Sequence, residues 1–527
     1  MMYEHGNEEV FFSSLLQDCI KKKDLAMARK LHRLIIYSGS YSKSILRNGL
    51  IRAFSICGSL REGKQVFLTT CNPDIYAWEA YMSGHIRCGK SEEAIDLYHR
   101  LRSMNNVELN DHIYVASLKA CCASSTNLML QHGRVIHNDI IIYGIDMSLH
   151  IGSMLLGMYM KCGCVTEANG VFDQMSVKDV VVWNAMITGY SQHGRSEKAL
   201  KYFEQMQCEG VSPNAYTFAC ILKACGIVGS LEIGEGIHAQ VEKQGLLHKD
   251  VVLGNALVDM YAKCGAIGKA RHVLDELNFQ DAVSWNAIIT GYCQHESGYE
   301  ALTCFHQMQQ QGLSPDAVTF SSILKACGTM GATRKGKEIH TRISKEWLPA
   351  ENNLLGNALV DMYAKCGALT KAQKLLDELP RRNVVSWNAL IAGYALQGQG
   401  EEVLDFLQHM KFEGLSPNSI TFTCILKACG SAGAIEKGKQ MHEEIIGKGL
   451  LMNNISLGNA LVDMYARCGV LEQAQETFDA LQIWDVVSWS TLISGYAQHG
   501  LGEEALACFR QSLGHGISPN PTIFLSV

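Results

Sequence analysis

The chain has 527 residues, 47% of them hydrophobic and 19% charged, with a formal net charge of −6. That balance argues against a protein that coats nucleic acid regardless of sequence, since such coats carry a basic excess, but it leaves a locally basic groove open. No apolar run reaches the roughly 18 residues of a membrane span, and with only 8 prolines long stretches are free to be helical.

The start, MMYEHGNEEV, is acidic and lacks the Arg- and Ser-rich amphipathic character of a transit peptide. Residues 1–8 are read as a leader, and either a targeting segment lies outside this sequence or none is needed. From Glu9 onward three kinds of unit alternate. One is centred on Lys-Ala-Cys, as in Ile221–Cys225; it starts near Glu9 and at Asp111, Ala215, Ala317 and Ser419. One carries GNALVDMYAKCG or a looser version, starting at Ser44, Leu149, Val251, Asn353 and Ile455. One carries a Trp, starting at Ile75, Val180, Ala282, Val384 and Val486. Trp183, Trp285, Trp387 and Trp489 stand 102 residues apart, each in a W-[NS]-[AT]-x-I-x-G-Y block, and Pro213, Pro315, Pro417 and Pro519 keep the same spacing. A fixed period of this kind means a repeat architecture.

The frame divides the chain into triplets at residues 9–110, 111–214 (in a shifted order), 215–316, 317–418 and 419–520, with a truncated unit at 521–527. Small insertions fall near Asn105–Asn106 and around Ser124–Gln131. The last unit stops within its first helix and has no polar cap, so a longer natural chain is expected. Each unit reads as a helical hairpin. Leu257, Val258 and Tyr261 recur at helical spacing, Gly265 breaks the helix, and Ala270, Val273, Leu274 and Leu277 line a second one. In the Trp unit the second helix carries Ala199, Leu200, Phe203 and Met206 and ends at Gly210. A lone hairpin cannot bury its apolar face but stacked neighbours can, so the expected fold is all-α, a solenoid of about fifteen helix-turn-helix repeats.

The 20 cysteines fall largely in repeat columns, one at Cys225, Cys327 and Cys429 and another at Cys162, Cys264, Cys366 and Cys468. No C-x-x-C occurs, so they read as small apolar packers in a reducing compartment, and no metal or cofactor is expected.

On a helical wheel, Val252, Asn255, Asp259 and Lys263 form one narrow stripe, with Gly254, Leu257 and Tyr261 opposite. The Trp units repeat this, with Val181 and Asn184 on the stripe and Trp183, Met186 and Tyr190 opposite. Each such hairpin offers an apolar residue (Val181, Val252, Val283, Val385, Val487) beside a small polar one. A row of such pairs suits a polymeric ligand whose bases pack on the apolar residue and bond the polar one. The rival reading is that the asparagines cap or bridge hairpins. A second small polar residue closes each unit, at Asp281, Asp316, Asn383, Asn418, Asp485 and Asn520. The Asp/Asn choice varies while its neighbours hardly change, as a base reader requires, because Asp only accepts hydrogen bonds and Asn also donates. Lys161, Lys263, Lys365 and Arg467 occupy one column of the same stripe and are expected to contact phosphate; a solvated helix end is the alternative.

Two motifs mislead. Gly84 to Ser91, GHIRCGKS, matches the phosphate-loop pattern, yet it aligns with the inter-helix turn Gly189 to Ser196 and no strand is expected before it. His442-Glu443-Glu444 opens like a zinc deaminase signature, but no P-C-x-x-C follows. His442 belongs to a column with His32, His137, His238 and His340, which reads as packing.

Units of 35, 36 and 31 residues with VVSWNALI, ILKACG and GNALVDMYAKCG signatures resemble the pentatricopeptide repeat proteins of the plant PLS class, from about Glu9 to Val527. The resemblance implies a right-handed superhelical solenoid that binds single-stranded RNA in mitochondria or plastids, mostly to select cytidines for C-to-U editing. It implies one base per unit, read by the fifth residue of the first helix and the unit's last residue. On that basis Asn48 with Asp74, Asn255 with Asp281, Asn286 with Asp316 and Asn459 with Asp485 should favour U. Asn184 with Asn214, Asn357 with Asn383 and Asn388 with Asn418 should favour C; Ser153 with Asp179 should favour G, and Ser490 with Asn520 should favour A. Glu79 departs from the pattern, and Val115, Ala219, Ser321 and Thr423 are irregular, so their units stay unassigned. The family's parallel orientation gives 5′-U-n-n-G-C-n-U-U-n-C-C-n-U-A-3′. The family's editing members carry a C-terminal extension and often a deaminase domain ending in Asp-Tyr-Trp, and this sequence shows neither. Recognition without catalysis is expected, with a deaminase or editing factor acting in trans. The competing reading is a protein-binding helical scaffold like the tetratricopeptide arrays.

Overall fold

The computed structural model describes residues 4–70, 73–104, 109–123, 126–247, 249–346, 353–451, 454–518 and 521–526. Asn520, the insertion at Asn105–Asn106, Ser124, Val527 and the first three residues of the leader lie outside the described residues. The chain divides into two compact units, Met1–Cys264 and Gly265–Val527. Each is a stack of antiparallel helix pairs, and no strand occurs among the described residues.

In the first unit the helix Leu149–Lys161 pairs with Val165–Gln174, Val180–Gln192 with Ser196–Cys208, and Ala215–Val228 with Leu231–Lys243. The hairpins have local causes. Asp179 accepts hydrogen bonds from the backbone N–H groups of Val181 and Val182, satisfying donors that the first turn leaves without partners. Gly163, at φ +75, turns the chain into the second helix. Trp183 is fully buried and meets Phe172 edge-on at 4.9 Å. The tryptophans that mark the period are therefore scaffold. Exposed ion pairs such as Arg134–Glu167, at 2.6 Å, link consecutive second helices; pairs of this kind add little stability.

The second unit repeats the arrangement. Ala282–Gln294 pairs with Gly298–Gln310, Asn353–Lys365 with Leu369–Glu378, and Val384–Leu396 with Gly400–Phe412. The glycine of the Trp block is a packing requirement here. A Cβ added at Gly393 would lie 2.5 Å from the Cβ of Ala364 and 3.1 Å from its Cα, so the Asn353–Lys365 helix approaches too closely for any side chain. One turn departs from the pattern. Glu296 adopts φ +59 where the other Trp hairpins use Gly89, Gly194, Gly398 and Gly500 at φ +70 to +75.

The phosphate-loop look-alike straddles a helix end. Gly84 lies inside the helix Ile75–Arg87 against Ser55, and Ser91 opens the helix Ser91–Ser103. The histidine column packs. His137, His238, His340 and His442 each share a hydrogen bond through Nδ1 with the hydroxyl of Tyr159, Tyr261, Tyr363 and Tyr465, at 2.9 to 3.1 Å. At the corresponding place beside His32 stands Phe54, whose ring meets the imidazole edge-on.

Candidate nucleic-acid interface

The first helix of each hairpin opens with a residue that the packing does not use. Val181, Val252, Val283, Val385 and Val487 are 54%, 67%, 60%, 60% and 53% exposed. Tyr216, Val318 and Ile420 hold the same second position in the Lys-Ala-Cys helices and are also exposed. Within each compact unit, apolar side chains stand out singly, one per hairpin, on otherwise well-packed helices, where a flat ring could stack on them.

Three residues after Val181, Val252, Val283, Val385 and Val487 sits the small polar residue. Asn184, Asn286 and Asn388 are nine-tenths buried, and each reaches the residue that ends its unit. Asn286 Nδ2 donates to Asp316 Oδ1 at 3.0 Å and Oδ2 at 3.1 Å. Asn388 Nδ2 donates to Asn418 Oδ1 at 3.2 Å, and Asn184 Nδ2 to Asn214 Oδ1 at 3.4 Å. Asn357 and Asn459 reach Asn383 and Asp485 in the same way, at 3.4 and 3.2 Å. The two residues singled out in each of these units thus form one hydrogen-bonded pair. Ser153 and Ser490 differ, since each donates to a carbonyl of its own helix, His150 at 3.1 Å and Val487 at 3.0 Å. Asn48 is buried, and Asp74 takes the N–H of Ala77 at 2.8 Å. Asn255 belongs to the first compact unit and Asp281 to the second; within its own unit Asp281 takes the N–H of Ser284 at 2.9 Å.

The unit-ending residues are also helix caps. Asn214, Asp281, Asp316, Asn383, Asn418 and Asp485 each accept the backbone N–H three residues on and complete a capping box. Capping and base reading are compatible, because the cap bond uses only Oδ1. The atom that distinguishes Asp from Asn, Oδ2 against Nδ2, is not needed for it. Burial alone would raise the carboxyl of Asp316, but the N–H and hydroxyl of Thr319 and the amide of Asn286 outweigh it and hold the group below its ordinary value. Burial is likewise outweighed at Asp485, by Ser488 and Asn459.

The expected phosphate contacts are engaged within the protein. Lys263, Lys365 and Arg467 pair with Asp259, Asp361 and Asp463 one turn earlier on the same helix, at 2.6, 2.7 and 2.9 Å. Lys161 donates to the carbonyl of Cys122 at 2.6 Å. By contrast Lys223, Lys325 and Lys427, in the Lys-Ala-Cys helices, are exposed, and none joins an ion pair among the described residues. They lie on the same helical face as Tyr216, Val318 and Ile420. Sequence reasoning does not single out these lysines, nor Thr217, Thr319 and Thr421, whose hydroxyls donate to Oδ1 of Asn184, Asn286 and Asn388 at 2.7, 2.6 and 2.7 Å. Both columns keep the 102-residue period, which is the signal that could have found them.

Comparison with known proteins identifies the repeat. The model of the PPR repeat family matches residues 178–226, 280–329 and 382–431. The PPR repeat model matches residues 76–106, 153–180, 357–384, 420–450 and 487–517. A mitochondrial pentatricopeptide repeat-containing protein of Arabidopsis thaliana is 32% identical over 510 residues, spanning 95% of this chain and 73% of that protein. A chloroplastic one from the same plant is 32% identical over 521 residues, spanning 99% of this chain and 83% of that protein. Among solved structures, the fold is shared with the pentatricopeptide repeat protein PPR10 from maize, at 17% identity and a TM-score of 0.51, covering 98% of this chain and 90% of that one. PPR10 in complex with an 18-nt psaJ RNA element gives 18% identity and a TM-score of 0.57, covering 98% and 80%. The chain belongs to the pentatricopeptide repeat family.

Proposed function

We propose that this chain binds single-stranded RNA selectively by sequence, one base per hairpin, and that it is of the PLS class. The observation that carries the reading is the pairing of an exposed apolar residue with a buried polar one on a single helical face, as at Val283 and Asn286. An apolar side chain accepts any base face, and the polar pair beside it discriminates base edges. That PPR10, whose fold it shares, is solved with bound RNA supports the same ligand class.

Base choice is assigned to the pairs given above, with Asn and Asp selecting U and Asn and Asn selecting C. The exposed Lys223, Lys325 and Lys427 are the first candidates for phosphate contact. Lys161, Lys263, Lys365 and Arg467 keep further N–H donors beside their carbonyl or carboxylate partner, but at Lys263, Lys365 and Arg467 the paired carboxylate offsets the charge. The relatives named mitochondrial or chloroplastic support a place in organellar RNA processing, with C-to-U editing the first candidate. In that role the chain selects the target, and a deaminase or editing factor acts in trans.

The test is titration of the chain with the predicted RNA, a scrambled RNA of equal composition and the matching DNA at two salt concentrations. Tighter binding of the predicted RNA at both salts is expected. Equal affinity for predicted and scrambled RNA would falsify selective reading and favour a protein-binding scaffold.

A further inference from the structure

The asparagines assigned to base reading fall into two groups that differ in one hydrogen bond. In the Trp units the acceptor oxygen is occupied, since Thr217, Thr319 and Thr421 donate to Oδ1 of Asn184, Asn286 and Asn388 at 2.6 to 2.7 Å. The same hydroxyls also lie within hydrogen-bond distance, at 2.9 to 3.0 Å, of Oδ1 of the capping residues, so the asparagine oxygen is the nearer of two acceptors that share one proton. Each hydroxyl oxygen in turn accepts the backbone N–H of the cap residue, at 3.1 to 3.2 Å. All three threonines are fully buried.

At three of the 31-residue units, those of Asn48, Asn357 and Asn459, this bond is missing. Oδ1 of Asn48, Asn357 and Asn459 is buried with no hydrogen-bond partner. The serines that follow at the matching helix position send their protons elsewhere: Ser386 to the carbonyl of Asn383 at 2.8 Å, and Ser488 to a carboxylate oxygen of Asp485 at 2.8 Å.

We propose that Thr217, Thr319 and Thr421 are positioning residues that set the orientation of the reading amide, an inference that rests on the RNA function proposed above. With Oδ1 held by threonine and one Nδ2 proton held by the cap residue, the amide is fixed at both ends. Its oxygen is turned inward to a buried threonine, so the group it presents to a base is the remaining N–H donor. Its match is a base edge that presents an acceptor, such as the O2 of a pyrimidine. Oδ1 of Asn48, Asn357 and Asn459 has no such partner to hold it, so these amides turn more freely and, once turned, present the oxygen to a donor edge as well. The specificity of a hairpin is therefore set partly from the next hairpin, by a residue that never touches the ligand.

The test uses the full chain with Thr319→Val, which keeps the shape and removes the hydroxyl, and Thr319→Ser, which keeps the hydroxyl. Two readouts are taken. In the free protein, nitrogen relaxation of the asparagine side-chain amides reports their order. In the wild type, the amides of Asn184, Asn286 and Asn388 are expected to be more ordered than those of Asn357 and Asn459. Thr319→Val should loosen Asn286 alone, and Thr319→Ser should restore it. In RNA titrations, Thr319→Val should lower the preference for U over purines at the nucleotide assigned to Asn286 and Asp316 by roughly three- to tenfold. Preference at the nucleotide assigned to Asn388 and Asn418 should be unchanged. An Asn286 amide as ordered in Thr319→Val as in the wild type overturns the proposal, and so does an equal loss of preference at both nucleotides. A wild type without base preference overturns the RNA reading, while the relaxation readout still decides the role of threonine.

Discussion

Asn286 donates from Nδ2 to both carboxylate oxygens of Asp316, at 3.0 and 3.1 Å, and the same Asp316 takes the N–H of Thr319 at 2.8 Å. One carboxylate thus joins two hairpins and starts a helix. Asp316→Ala removes both functions, and thermal denaturation should show a loss of about 1 kcal/mol or more, the usual cost of removing a cap. A loss below about 0.3 kcal/mol would show that the cap contributes little in this array.

Glu296 holds a left-handed conformation, at φ +59, that the other Trp hairpins give to glycine. Placing a Cβ there costs about 1–2 kcal/mol, partly offset by the greater unfolded-state freedom of glycine. Glu296→Gly should therefore stabilise the protein by about 0.5–1 kcal/mol, read as a rise in Tm. A fall in Tm contradicts the strain argument.

The histidine column makes stability depend on pH. Burial pushes His137, His340 and His442 below the ordinary value of 6.5, and at His442 it outweighs the neighbouring Glu443. The unfolded chain then binds protons first, so this contribution is complete above pH 6.5 and is lost as pH falls through and below it. The lowered carboxyls of Asp316 and Asp485 act in the same direction, but only below their ordinary value of 3.8. Tm should fall from about pH 7.5 to about pH 5.5. The fall should be smaller in a variant carrying His340→Gln and His442→Gln; equal slopes in the two proteins would count against it.

Among the described residues Lys325 and Lys427 are exposed and outside any ion pair, whereas Lys365 is bound to Asp361. If the free pair meets phosphate, replacing both by Gln should reduce the slope of log affinity against log salt by about 0.7 for each phosphate left without its lysine. Binding should weaken alike on matched and mismatched RNA. Lys365→Gln alone should change the slope less. The reverse ranking would return the phosphate role to the column with Lys263 and Lys365.

The helical hairpins are legible in the sequence because they depend on neighbours a few residues apart. Leu257 and Tyr261 repeat at one helical turn, and both are buried. Trp183 falls on the packed side for the same reason. The Asp259–Lys263 pair is within reach of the sequence, since four residues on a helix bring opposite charges together. A helical wheel, however, shows only that both lie on one stripe of the helix and not that they hold each other. The bond from Thr217 to Asn184 spans 33 residues and two hairpins. No local pattern announces it, and only the stacking of one hairpin on the next creates it. From sequence, capping by the unit-ending residues stands as a rival to base reading, whereas the geometry lets one side chain do both.

The most direct test pairs one substitution with one nucleotide. Asp316→Asn keeps Oδ1 for the cap and replaces only the outer oxygen by an amide nitrogen. Affinities of the wild type and of Asp316→Asn should be measured for the predicted RNA with U, and then with C, at the nucleotide assigned to Asn286 and Asp316. The account predicts that the wild type prefers U and that Asp316→Asn prefers C, each by about three- to tenfold, with a smaller loss in Tm than Asp316→Ala because the cap bond to Oδ1 is kept. If the two proteins rank U and C identically, the pair does not read the base.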